Sequence, residues 1–109
     1  MLDHPEKTAR LLAALMAAAP FEVELTPSLI KYLQAERLAA VNQIRQTVSG
    51  VSYAGDEGGI MCRIDLPDRR EALVVSLTHV RVPRSMPLAA AVAKYQKHRV
   101  KKLKKQGRT

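Results

Sequence analysis

Residues 47–82 read TVSGVSYAGDEGGIMCRIDLPDRREALVVSLTHVRV, and this stretch decides the fold class. It holds three β-rich runs, at 48–53, 60–66 and 72–82, with turn residues between them. Short runs bounded by Gly, Pro and Asp are typical of strands joined by tight connections. The stretch therefore predicts a three-stranded antiparallel meander.

The pairing of these runs follows from the requirement that one face of the sheet be apolar throughout. A register that pairs Cys62 with both Val51 and Val75, and Ile60 with Tyr53 and Leu77, meets this requirement. The apolar face then carries Val51, Tyr53, Ile60, Cys62, Ile64, Leu73, Val75 and Leu77. The polar face carries Ser52, Met61, Arg63, Asp65, Ser76 and Thr78. We therefore expect helices to cover one face of the sheet and to leave the other open.

Helices are predicted on both sides of the meander. A first helix is expected over 4–19, since Asp3 and Glu6 have the spacing of a capping box and Pro20 follows. A second helix begins after Thr26 and is expected to reach Gln46. A last helix is expected to begin near Ser85.

Between the first two helices, residues 21–25 alternate between apolar and acidic side chains, which predicts a short extra edge strand or an extended linker. We therefore predict one α+β domain over 1–109, in the order α-α-β-β-β-α. The α-β-β-β-α core occupies 26–105, with helices on one face of the sheet and a frayed tail at 106–109.

The formal net charge of +8 is concentrated at one end of the chain. Residues 1–90 hold ten basic and ten acidic side chains, whereas 91–109 hold eight basic side chains and no acid. A localised basic block indicates an anionic partner more strongly than the same charge dispersed over the whole surface.

The last helix separates its charge from its apolar side chains. At 100° per residue, Leu88, Val92, Tyr95 and Leu103 share one stripe, and Arg99 is the one charge inside it. The lysines and His98 occupy the opposite side. Phosphate contacts from such a helix give salt-dependent affinity for nucleic acid that is largely independent of base sequence. The predicted nucleic-acid-binding residues are Lys94, Lys97, Lys101, Lys102, Lys104 and Lys105, extended by Arg81 and Arg84.

Catalytic and metal sites are not expected. Cys62 and His79 are the only pair that resembles a thiol nucleophile and its base. The predicted register separates them by four residues along the sheet, roughly 13 Å, which is too far for proton transfer. Cys62 is therefore interpreted as a small buried hydrophobe. The three histidines fall in different elements with no acid or cysteine at ligand spacing, so we predict neither a metal nor another cofactor.

The glycine-rich segment 55–59 has two readings. Its glycines could let backbone N–H groups approach a phosphate, or Asp56 and Glu57 could hold a cation. It lacks the spacing of a phosphate-binding loop, and adjacent acids would repel a phosphate. We therefore interpret it as the turn of a hairpin.

Membrane proteins and disulfide-rich secreted proteins are not favoured either. The longest apolar run, 11–19, is about half of what a bilayer requires, and the first residues lack the layout of a secretory signal. One cysteine allows no internal disulfide, which fits a reducing cytoplasm. The many alanines suggest a GC-rich bacterial source.

The predicted order of elements over 27–105 is similar in topology to that of double-stranded-RNA-binding domains. Those domains carry lysines at the start of their last helix. Here lysines begin only at Lys94, so the similarity is confined to topology, and it is the only ground that favours RNA over DNA.

We therefore expect a cytoplasmic, non-enzymatic module that binds nucleic acid. The alternative is a module that binds an acidic protein or forms a homodimer. Its contact surface would be the alanine-rich first helix or the sheet face with Arg63, Ser76 and Thr78.

Overall fold

The computed structural model describes residues 3–35, 44–65 and 72–105. Their helices are α1 (Pro5–Ala18), α2 (Pro27–Ala35), the single turn α3 (Gly55–Gly58) and α4 (Ala89–Lys105). Their strands are β1 (Phe21–Leu25), β2 (Arg45–Tyr53), β3 (Ile60–Ile64), β4 (Leu73–Ser76) and β5 (Val80–Arg81). The predicted α+β class with an antiparallel sheet is confirmed.

The described residues form a five-stranded sheet in the order β4-β3-β2-β1-β5, so the predicted three-stranded meander is only part of it. Within β2, β3 and β4 the predicted register is confirmed, because Cys62 pairs with both Val51 and Val75. The pairing of Ile60 with Leu77 is wrong, since β4 ends at Ser76. The turn residues between the predicted runs 60–66 and 72–82 lie outside the described residues, as does the tail predicted at 106–109.

The sequence predicts one continuous strand over 72–82, but the structure interrupts this run. After β4 the chain forms a 3-10 turn over Leu77–His79, which buries Leu77 completely. Gln96 of α4 stabilises this break, since its Nε2 donates to the carbonyl oxygens of Leu77 and Val80, each at 2.7 Å. The following β5 then pairs with β1 at the opposite edge of the sheet.

The prediction of β1 as an edge strand is also wrong, because this strand lies inside the sheet between β2 and β5. Its alternate side chains Phe21, Val23 and Leu25 are buried in the core, as the alternating pattern requires. The topology therefore differs from the simple α-β-β-β-α order, and the similarity to double-stranded-RNA-binding domains does not extend to the sheet.

The second helix was predicted to reach Gln46, but Gln46 lies in β2. The N–H of Leu25 donates to the carbonyl oxygen of Ile44 at 2.8 Å, which places Ile44 alongside β1. Ile44 is consequently 56% exposed rather than part of a buried helical stripe.

Two helix starts also differ from the predicted ones. α1 is capped by His4, whose Nδ1 accepts a hydrogen bond from the N–H of Lys7 at 3.3 Å, and Asp3 is buried elsewhere. α4 begins at Ala89 instead of near Ser85, because turns closed by the N–H groups of Met86 and Ala89 precede it. No helix within the described ranges is long and apolar enough to span a bilayer.

The glycine-rich segment connects β2 to β3 through α3, which agrees with its interpretation as a hairpin connection. Gly59 has φ +66° and its N–H donates to the carbonyl oxygen of Gly55 at 2.7 Å. A Cβ at Gly59 would collide with the Tyr95 hydroxyl and lie 2.9 Å from Nε of Arg99. Glycine is therefore required here both by the backbone conformation and by the close approach of α4.

Three glycine-to-alanine variants separate these two requirements. Gly59→Ala should lower the free energy of unfolding by about 3 kcal/mol or more, since it combines backbone strain with a clash. Gly55→Ala should cost about 1–2 kcal/mol, because its φ is +69° but the space around it is open. Gly50→Ala is the control, with open space around its Cβ. Urea unfolding followed by circular dichroism measures all three, and equal losses at Gly55 and Gly59 would contradict the close approach.

Candidate nucleic-acid interface

The predicted interface is built on α4, which packs one side on the body. Val92, Tyr95 and Arg99 are 1%, 9% and 2% exposed, and they follow one another at helical spacing on that side. The six lysines predicted to bind nucleic acid are all exposed. From Lys94 to Lys105 they cover roughly 16 Å along the helix axis at about 1.5 Å per residue.

The charge on these lysines is not paired with acids of the described ranges. Of the ion pairs that join described residues, one lies on α1, two involve the sheet and the fourth is buried. None of these four ion pairs uses a lysine of α4. The positive charge of this helix face is therefore not neutralised by the part of the body that the structure describes.

The two predicted arginines lie outside α4. Arg81 is exposed on β5, where its partner in the register is Glu24 of β1. Arg84 is exposed in the turns that precede α4. Arg81 and Arg84 therefore precede α4 along the chain, whereas the six lysines lie in the middle and C-terminal part of α4.

A buried polar cluster holds α4 in this orientation. Oδ2 of Asp3 accepts hydrogen bonds from Arg99 Nη1 at 3.0 Å, Tyr53 Oη at 3.0 Å and Tyr95 Oη at 3.3 Å. The Tyr95 hydroxyl also accepts a hydrogen bond from the N–H of Ile60 at 2.9 Å. One carboxylate thus joins the start of the described chain to β2 and α4, and Tyr95 extends the cluster to β3.

Burial of this cluster has electrostatic consequences. Desolvation raises the pKa of Tyr95 to about 12, and the Asp3 carboxylate also opposes its ionisation. Asp3 is 2% exposed, and in the described part of the chain its Oδ1 has no hydrogen-bond partner. The Arg99–Asp3 ion pair therefore lies in a low-dielectric environment, where losing one partner is costly.

Sequence reasoning missed this cluster. It assigned Asp3 to a helix cap on the strength of local spacing, and it placed Tyr53 in the core, whereas Tyr53 is 37% exposed. The cluster could have been predicted from Arg99, since a single charge inside an apolar helical stripe requires a buried acidic partner.

Cys62 is fully buried in β3, which confirms the buried position expected for it. Burial raises the pKa of its thiol to about 12. His79 is exposed on the 3-10 turn. Within the described ranges, no group of three or more His, Cys, Asp or Glu side chains could hold a metal ion.

No protein-family model, no curated protein and no solved structure matches this chain. What the protein does must therefore be inferred from its own residues and their geometry.

Breaking the buried ion pair should be strongly destabilising. Arg99→Met leaves the Asp3 carboxylate buried without its cation, so the free energy of unfolding should fall by about 3–5 kcal/mol. Adding Asp3→Asn removes the stranded charge, and the double variant should be more stable than Arg99→Met alone. Lys97→Met, exposed on the same helix, should change stability by about 0.5 kcal/mol or less. Urea unfolding measures each variant, and a double variant no more stable than Arg99→Met alone would show that the two charges are not coupled.

The thiol of Cys62 should be unreactive in the folded protein. Its pKa rises from 9.0 to about 12, so its thiolate fraction near neutral pH is on the order of a thousandfold below that of an unfolded chain. Reaction with a chromogenic disulfide reagent should be slow in buffer and fast in guanidinium chloride. Rapid reaction in buffer would contradict this burial.

Proposed function

We propose that this protein is a non-enzymatic module that binds nucleic acid through the exposed lysines of α4. The observation that carries the proposal is the combination of six exposed lysines without ion pairs to described residues and a buried opposite side that fixes the helix. Lysine side chains on one rigid helix can contact several phosphates and release their counterions.

The proposal extends to both RNA and DNA. The ground for preferring RNA was a three-stranded order, and the sheet has five strands. The exposed face of α4 carries mainly lysines, because its potential base-reading side chains face the body: Gln96 donates to the carbonyl oxygens of Leu77 and Val80, and Arg99 is buried. We therefore expect weak dependence on base sequence and strong dependence on salt.

The test is fluorescence-anisotropy binding of the full chain to duplex RNA, duplex DNA and single strands, from about 50 to about 200 mM salt. The variant Lys97→Gln/Lys101→Gln/Lys104→Gln should weaken binding to every nucleic acid. On duplex DNA it should also reduce the salt slope by about 0.9 for each phosphate that the variant no longer neutralises.

A matched control removes the same charge elsewhere. The side chains of Lys31, Arg45 and Arg63 are exposed on α2, β2 and β3, so none of them belongs to α4. Their triple replacement by Gln should leave the salt slope nearly unchanged. Equal weakening by both triple variants, or no binding by the parent protein near physiological salt, would refute the proposal.

A protein-contact function has one specific observation in its favour. Met16 on α1 and Val74 on β4 are 58% and 53% exposed, and an interface would bury such side chains. A concentration-dependent dimer in light scattering, together with no salt-sensitive binding of nucleic acid, would favour this function instead.

A further inference from the structure

A groove of about 610 Å³ lies between α1 and α4. Its size is within the range of small-ligand sites, roughly 300–1,000 Å³. Part of its lining is apolar: Leu11 and Ala14 come from α1, Leu88 lies immediately before α4, and Ala91 is in the first turn of α4. We call this the α1/α4 groove.

The α1/α4 groove is cationic on both walls. Lys7 and Arg10 line it from α1, and Lys94 lines it from α4. Arg10 forms an exposed ion pair with Glu6 at 3.8 Å, a contact that contributes little in water. Among the described residues that line the groove, the one acid is Asp3, whose charge is already compensated inside the protein by Arg99. The groove therefore suits an anion.

The arrangement of these groups narrows the class of anion. A phosphate monoester carries close to two negative charges and three acceptor oxygens, so cations on two walls can bind it together. The small side chains of Ala14 and Ala91 leave space beside apolar surface, which a planar ring can fill. Lys94 also belongs to the exposed lysines of α4, so the groove is continuous with the proposed nucleic-acid surface.

We infer that the α1/α4 groove binds a nucleoside 5′-phosphate, with the phosphate near Lys7, Arg10 and Lys94 and the base against the apolar lining. The ligand is a free nucleotide or the 5′-terminal nucleotide of a strand bound on α4. Binding of a strand terminus rests on the proposed function, whereas binding of a free nucleotide does not.

Isothermal titration calorimetry of the full chain with AMP, adenosine and inorganic phosphate tests the inference. AMP should bind more tightly than adenosine or inorganic phosphate, since only AMP uses both parts of the groove. Lys7→Gln should weaken AMP binding by about tenfold through loss of a charged hydrogen bond. Lys31→Gln is the matched control, because Lys31 is exposed on α2 and does not line the groove, and it should leave AMP binding unchanged.

A variant that fills the groove adds a test that does not depend on charge. Ala91→Leu should abolish AMP binding, and because Ala91 is exposed the fold should persist, as circular dichroism can verify. The inference is overturned by the absence of heat with millimolar AMP, by adenosine binding as tightly as AMP, or by equal weakening in Lys7→Gln and Lys31→Gln.

Oligonucleotides with a 5′-phosphate or a 5′-hydroxyl distinguish the two sources. If the phosphorylated strand binds more tightly and Ala91→Leu abolishes this preference, the ligand is the 5′-terminal nucleotide of a strand. If AMP binds but the two oligonucleotides bind equally, the ligand is the free nucleotide. If oligonucleotides bind with a steep salt slope but AMP does not bind, the inference fails and the proposed function stands. If AMP binds as expected and no oligonucleotide does, the proposed function fails and the inference stands for the free nucleotide.

Discussion

The buried ion pair between Arg99 and Asp3 is the constraint on which the placement of α4 depends. Two opposite charges at 3.0 Å, both nearly inaccessible to water, are tolerated in a small domain only when each has its partner and further hydrogen bonds. Tyr53 and Tyr95 supply those bonds to Oδ2 of Asp3. The cluster therefore specifies one rotation of α4 about its axis, and this rotation directs the lysines outward.

The close approach at Gly59 completes the same constraint. The backbone between β2 and β3 passes so near Tyr95 and Arg99 that no side chain fits at this position. A turn that would otherwise be a simple hairpin connection thus becomes part of the contact with α4. The positive φ of Gly59 and the burial of Arg99 therefore belong to the same contact between this turn and α4, although forty residues of sequence separate them.

The sequence predicted the strand register well and the long-range contacts poorly, for a physical reason. Alternation of apolar and polar side chains is local, and it places Cys62 opposite Val51 and Val75 without reference to the rest of the chain. The break before β5 depends instead on hydrogen bonds from Gln96, a residue in another element. Asp3 had a plausible local role as a helix cap, so its tertiary role with Arg99 was hidden. The exposed lysines of α4 could be predicted because helical periodicity alone separates them from Val92 and Tyr95.

A helix as basic as α4 also has to overcome its own charge. Lys97, Lys101 and Lys105 follow one another at i, i+4, and each such like-charge pair destabilises a helix by a few tenths of a kcal/mol. The helix dipole stabilises the lysines of the last turn and offsets part of this repulsion, but it does not stabilise the lysines in the middle of the helix. Tertiary contacts through Val92, Tyr95 and Arg99 hold the helix despite the repulsion. An anion bound along this face would relieve the repulsion between the lysines. The free energy of repulsion that is relieved on binding would then add to the affinity for a polyanion.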